Sequence, residues 1–188
     1  MLSNKNKFPV NLSENWQSPK ECQIGCPTLK NWLLNTGSLT ERLQAHCHTF
    51  RLEVIRYQKH LVSHADADKI GCDSNEVFIR EVILFGDDVP WVFAQTIMPE
   101  SLFEDRTKNL ANLGNKPVGS IIFNDTNFFR QPFELITLPM DNSLSSNLCI
   151  ASTQPLWGRR SVFSYQEYKM MISEVFLPFA PAYSEFKI

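Results

Sequence analysis

The residues best placed to do chemistry are charged side chains set inside apolar runs. Arg80 interrupts VFIREVILF, where period-two alternation puts it on the face shared by Phe78, Val82 and Leu84 and turns Glu81 to the other side. A guanidinium among such neighbours is costly unless it is paired, reaches the rim, or receives an anion. Its planar fork suits a carboxylate, to which it donates two parallel hydrogen bonds. Two kinds of reading therefore stand for Arg80: an anchor for an anionic ligand, or a structural role, as a member of an ion pair or at an edge position. Glu174 has the same character, sharing a face with Met170, Ile172 and Phe176. There it either receives a ligand hydroxyl or closes a structural network with Arg80 or Arg159.

In LWGRR, Trp157 suits a pocket wall and Gly158 permits close backbone approach. Arg159 and Arg160, if extended, face opposite sides, so one looks inward; the local pattern alone favours a solvated pair. The histidines His46, His48, His60 and His64 lie in or before a polar stretch, with no serine or cysteine beside them in a nucleophile motif. Scattered glycines make no phosphate cradle or dinucleotide loop. The five cysteines, Cys22, Cys26, Cys47, Cys72 and Cys149, are odd in number and irregular in spacing, which argues against a disulfide framework. Cys22 and Cys26, even with His46, Cys47 and His48, fit zinc spacing poorly, so no metal is expected.

The elements that must position these groups can be read in outline. Residues 1–27 form a mostly irregular lead-in, with Trp16 the residue able to tack it down. Leu29, Trp32 and Leu33 mark a short helix that Gly37 ends, and the Ser-x-x-Glu spacing of Ser38 and Glu41 caps a second. FRLEVIRYQ is a strand, followed by a long polar connection to Asn75. VFIREVILF and VPWVFAQTIMP, joined by Gly86-Asp-Asp88, are the strongest hairpin signal. Pro99 to Gly114 has helical character, with Leu102, Phe103, Leu110 and Leu113 inward, and PVGSIIF makes another helical turn. PFELITL, RRSVFSYQ and KMMISEVFLP are strands, whereas the Ser/Asn-rich stretch from Met140 to Pro155 reads as an exposed loop docked in part by Leu144, Leu148 and Ile150. Helices outside a meander of antiparallel strands make a single α+β domain, residues 28–184, with residues 185–188 a tail.

Composition excludes several classes. The 188 residues carry 18 Lys+Arg against 20 Asp+Glu, a formal charge of -2, which leaves no electrostatic footprint for nucleic acid. No segment is apolar and long enough for an anchor, and the first residues make no convincing signal peptide, so the expected location is cytoplasmic.

The blocks LKNWLLNTGSLTERL, VFIREVILFGDDVPWVFAQTIMP, LGNKPVGSIIF, PLWGRRSVF and ISEVFLPFAPAY, in this order, resemble the chorismate pyruvate-lyase family of ubiquinone biosynthesis. The resemblance runs from about Leu29 to Tyr183. It implies a six-stranded antiparallel sheet whose helices cover an enclosed ligand pocket, and a lyase that converts chorismate to 4-hydroxybenzoate and pyruvate without cofactor or metal. Matched motif by motif, Arg80 binds the ring carboxylate and Glu174 faces the ring hydroxyl. Leu39 and Val118 enclose the ligand, standing where the family has methionine and leucine. Arg159 or Arg160 is the candidate for the second carboxylate, on charge and spacing. The ligands implied are chorismate, 4-hydroxybenzoate and pyruvate, with no obligate protein partner. The competing expectations are a ligand-sensing domain like the effector domains of bacterial transcription regulators, which would need a helix-turn-helix partner, and an isomerase or mutase acting on chorismate.

Overall fold

Seven antiparallel strands form one sheet in the computed structural model, which describes residues 9–12, 15–104 and 113–186. In chain order the elements are α1 (Pro27–Leu34), α2 (Leu39–Gln44), β1 (Phe50–Leu61), α3 (His64–Lys69), β2 (Glu76–Gly86), β3 (Val89–Met98), α4 (Glu100–Glu104), α5 (Gly119–Ile122), β4 (Phe129–Arg130), β5 (Glu134–Leu138), α6 (Ser143–Leu148), β6 (Leu156–Tyr165) and β7 (Tyr168–Phe176). A 3-10 segment, Pro181–Phe186, follows. The strand order is β1-β2-β3-β7-β6, and both β4 and β5 pair with the outer edge of β6. The α+β, single-domain reading holds. The sheet has one strand more than the expected six because its last edge is broken: Pro132, which cannot donate to a ladder, separates β4 from β5.

Register sorts the side chains onto two faces, since paired residues share a face. Arg80 pairs with Thr96, Thr96 with Ile172, and Ile172 with Ser161; two residues along, Val82, Ala94, Glu174 and Arg159 line up in the same way. These residues form the first face. The row between them, Glu81, Gln95, Ser173, Arg160 and Glu134, belongs to the second. On the first face, Leu29, Trp32 and Leu33 of α1 and Leu39 and Leu43 of α2 pack with Leu84, Val92 and Phe176. Leu102 of α4 and Ile122 of α5 pack there with Phe163, Met170 and Ile172. On the second face, Leu144 and Leu148 of α6 join Ile83, Phe93 and Val175, while Ile70 beside α3 joins Ile79, Ile97 and Met171.

Local signals explain the short elements. Ser38 accepts from the Glu41 backbone at 3.3 Å, the cap expected from its spacing. Asp87 and Asp88 both take positive φ in the β2–β3 turn, as a two-residue hairpin requires. Gly86 is needed there because the Trp91 ring lies where its Cβ would stand.

Two expectations need correction, and the lead-in gains detail. The polar connection after β1 contains α3, capped by Ser63, whose hydroxyl accepts from Asp66 N at 3.1 Å. The Ser/Asn-rich stretch is not simply an exposed loop: Asn142 caps α6, and Leu144 and Leu148 are buried. In the lead-in, Val10 and Leu12 are buried, and Gln17 bridges to Leu135. Trp16 docks as anticipated, against the second-face core. Leu110 lies outside the described residues.

Candidate active site

The first face, α2, the 113–119 turn and α5 enclose a cavity lined by Leu39, Arg80, Val118, Arg130, Phe133 and Glu174, among others. About 630 Å³ of space lies between its walls, open solvent at the mouth included. Val82, Leu84, Ala94, Ile122, Phe163 and Ile172 are among its apolar lining.

Arg80 enters from the centre of β2 and is only 2% exposed. Its terminal nitrogen donates to the carbonyls of Gly114 and Lys116, each at 2.9 Å, so the 113–118 turn is drawn over the guanidinium. Gly114 sits at φ +51°, a backbone conformation that glycine takes without a Cβ penalty. No carboxylate pairs with Arg80 among the described residues, and its buried Nε has no partner there. Burial pushes its pKa below the ordinary arginine value, with the nearby Tyr57 opposing the shift. A buried guanidinium held by two neutral carbonyls and carrying a spare N–H is prepared for an anion.

Glu174 lies across β3 from Arg80. Two strand steps of about 4.8 Å and an offset of two residues separate their Cα atoms by roughly 12 Å, leaving room for one ring between the side chains. The Glu174 carboxylate accepts from Arg159 Nε at 2.7 Å. Arg159, 1% exposed, also donates to the carbonyls of Trp32 at 3.0 Å and Asn35 at 2.7 Å. It thus closes the C-terminal end of α1, a helix with no basic residue in its last turn. One guanidinium ties the acidic group of the cavity to the helix that precedes its lid.

Arg160 goes the other way, as successive residues of a strand must. Its guanidinium lies on the second face, where it donates to Glu134 at 2.7 Å and Asp66 at 3.3 Å and covers the Trp16 ring. Arg159 and Arg160 do face opposite sides, but the solvated pair favoured by the local pattern does not occur: both are buried. Each has a cross-strand carboxylate, Glu174 for Arg159 and Glu134 for Arg160, that no local reading of LWGRR can reveal. Gly158, next to them, is a close-approach position, for a Cβ there would stand 2.9 Å from Ile136 Cγ2 and 3.0 Å from the Glu174 carbonyl oxygen.

The structure thus brings Leu39, Arg80, Val118 and Glu174 to one cavity and leaves Arg160's guanidinium outside it. Sequence reasoning missed Arg130, Phe133 and the ring of Phe163. The signal was the one used for Arg80, a lone arginine in an apolar run, here NFFRQPF. With β4 only two residues long, alternation had nothing to act on. Among the described residues, no group of three or more His, Cys, Asp or Glu is placed to hold a metal ion. Among the same residues, no helix is long and apolar enough to cross a membrane.

Comparison with known proteins gives the geometry a context. A family model described as chorismate lyase matches residues 11–188. A protein of Pseudoalteromonas atlantica named as a probable chorismate pyruvate-lyase is 42% identical over 175 residues, covering 90% of each chain. A Shewanella loihica protein of the same name is 33% identical over 175 residues, covering 91% of each. Among solved structures, the effector domain of PhnF from Mycobacterium smegmatis superposes with a TM-score of 0.59 at 16% identity, over 77% of this chain and 90% of that one. A GntR-family regulator from Bacillus cereus gives 0.52 at 13% identity, over 69% and 92%. These two similarities concern the fold alone.

Proposed function

The chain belongs to the chorismate lyase family, and on that premise we propose that it eliminates pyruvate from chorismate and leaves 4-hydroxybenzoate. The observation that carries the reading is the first-face cavity, with an Arg80 guanidinium that has no carboxylate partner among the described residues at one end and an oriented Glu174 carboxylate at the other. On this reading the enzyme works in the cytoplasm, and its product opens the route to ubiquinone.

The chemistry asks for position and electrostatics. The ether bond at ring carbon 3 breaks, its electron pair leaves with the enolpyruvyl oxygen, and carbon 4 loses its proton. The ring becomes aromatic, and the enolate takes up a proton to become pyruvate. Arg80 holds the ring carboxylate through Nε, while Glu174 accepts the hydroxyl of carbon 4 and assists the departure of the neighbouring proton. Arg159 is a positioning residue, because it fixes Glu174 without reaching the ring. Leu39, Val118 and the apolar wall exclude water, which strengthens each polar contact. The same enclosure holds the product, so lid opening by α2 and the 113–119 turn limits turnover.

A second reading, a small-molecule sensor, draws on the shared fold of the regulator effector domains and on nothing in the site. A time course of chorismate with purified protein, quantifying both products, decides between them. Equal, enzyme-dependent appearance of 4-hydroxybenzoate and pyruvate is expected; neither product from folded protein that binds 4-hydroxybenzoate would turn the assignment to a sensor.

A further inference from the structure

Chorismate carries two carboxylates, and Arg80 accounts for one. Of the two arginines that sequence offered for the other, Arg159 is occupied by Glu174 and the end of α1, and Arg160 by Glu134 and Asp66 on the far face. Arg130 is different. It leaves β4 opposite Phe163, and that register brings it to the first face and the cavity wall. Its hydrogen bond runs to the Thr36 carbonyl at 2.9 Å, its buried Nε has no partner, and no carboxylate pairs with it among the described residues. The guanidinium carbon stands 4.7 Å from the centre of the Phe163 ring, 4.9 Å from Phe133 and 5.2 Å from Phe123. Rings on several sides hold the fork in place. Burial, together with the charge of Arg159, lowers its pKa to about 10, with Glu174 opposing the shift. It remains a cation at neutral pH, and no carboxylate among the described residues forms an ion pair with it.

We propose that Arg130 is a substrate-binding residue that receives the carboxylate of the enolpyruvyl side chain, so that the cavity holds its substrate by two arginines and its aromatic product by one. This rests on the lyase reading above. Its consequence is specificity: Arg80 serves substrate and 4-hydroxybenzoate alike, whereas Arg130 serves only the molecule that still carries the side chain. Because the leaving group bears that carboxylate, Arg130 also opposes the negative charge that grows on the enolpyruvyl oxygen as the ether breaks.

The test compares the unsubstituted enzyme with Arg130→Met, which keeps the stem between the rings, and Arg130→Lys, which keeps the charge. Pyruvate release gives kcat/KM for chorismate, and titration calorimetry gives the affinity for 4-hydroxybenzoate. Arg130→Met should lose about 10- to 100-fold in kcat/KM while product affinity changes less than about threefold, and Arg130→Lys should recover part of the loss. Equal losses for chorismate and product, or a chorismate kcat/KM unchanged by Arg130→Met, would overturn the role of Arg130 alone. Absence of pyruvate from the unsubstituted enzyme would overturn the lyase reading and this role with it. A measurement on the unsubstituted protein stands even where the variants fail to fold. It compares 4-hydroxybenzoate bearing a carboxymethoxy group on the ring carbon beside the hydroxyl with its side-chain primary amide. The acid should bind about tenfold tighter; equal affinities would overturn the proposal.

Discussion

Replacing Arg159 by methionine should destabilise the protein far more than it changes the shape of the cavity. The substitution strips a carboxylate of its partner and uncovers the end of α1, for Arg159 donates to Glu174 at 2.7 Å, to Asn35 at 2.7 Å and to Trp32 at 3.0 Å. Removing one member of a buried ion pair costs about 3–5 kcal/mol, mostly because the other is left uncompensated. The Glu174 side chain is 18% exposed, which gives it some access to water and places this contribution near 3 kcal/mol. Two helix-end carbonyls without donors add about 1 kcal/mol each. The sum, about 5 kcal/mol, corresponds to a fall in Tm of roughly 10–20 °C for a domain of this size. Denaturant unfolding of Arg159→Met, Glu174→Leu and the double variant provides the assay. The double variant should be at least about 2 kcal/mol more stable than the two single losses added together, since removing both charges leaves neither stranded. A loss below about 1 kcal/mol for Arg159→Met, with no coupling in the double variant, would refute the reasoning and make the pair an incidental contact.

Arg80→Met should weaken 4-hydroxybenzoate binding about 10- to 100-fold while the protein stays folded, measured by calorimetry alongside circular dichroism; unchanged affinity would remove Arg80 from the ligand. Gly158→Ala forces a Cβ to within 2.9 Å of Ile136 and 3.0 Å of both the Glu174 carbonyl and Val175. It should cost about 1–3 kcal/mol, read as a lower Tm, and an unchanged Tm would mean that β6 and β7 separate freely at this point. Glu81 is buried on the second face with Oε1 accepting from Val10 N at 2.7 Å and Gln95 Nε2 at 2.9 Å, and burial raises its pKa against the pull of those bonds. A carboxyl whose pKa is raised by folding binds its proton more tightly in the folded state. Its contribution is complete below the unfolded value near 4.5 and is lost as pH rises through the folded value. Glu81→Gln should therefore flatten the decline in stability above pH 4.5; identical pH slopes for the two proteins would show that Glu81 is not the group responsible.

Arg80 and Glu174 were legible because each sits inside a long, regular strand, where alternation alone assigns a face. The hairpin at Gly86 and the cap at Ser38 were legible because turn and cap chemistry is local. What escaped depends on partners distant in sequence. Arg160 is buried because Asp66 and Glu134 meet it from α3 and β5, at separations of 94 and 26 residues. α3 and α6 are single short turns in polar segments, specified by Ser63 and Asn142 more than by an apolar stripe. Arg130 lay two residues before a proline at a broken edge, where no period is long enough to be read.

The two faces of the sheet have a consequence for folding fidelity. Where one face of a strand meets water, the polar residues announce which way it must lie, and a chain paired one residue out of step exposes its core. Here helices cover both faces, β6 is buried along most of its length, and hydrophobicity alone is nearly indifferent to such a slip. The discriminating marks are Gly158, Arg159 and Arg160. Moved by one place, β6 would press an arginine into the gap that barely admits a glycine, and would turn Arg159 away from the helix end it closes. Gly158, Arg159 and Arg160 are thereby the assembly key of the strand, so substitutions in LWGRR should yield misassembled protein as readily as inactive enzyme.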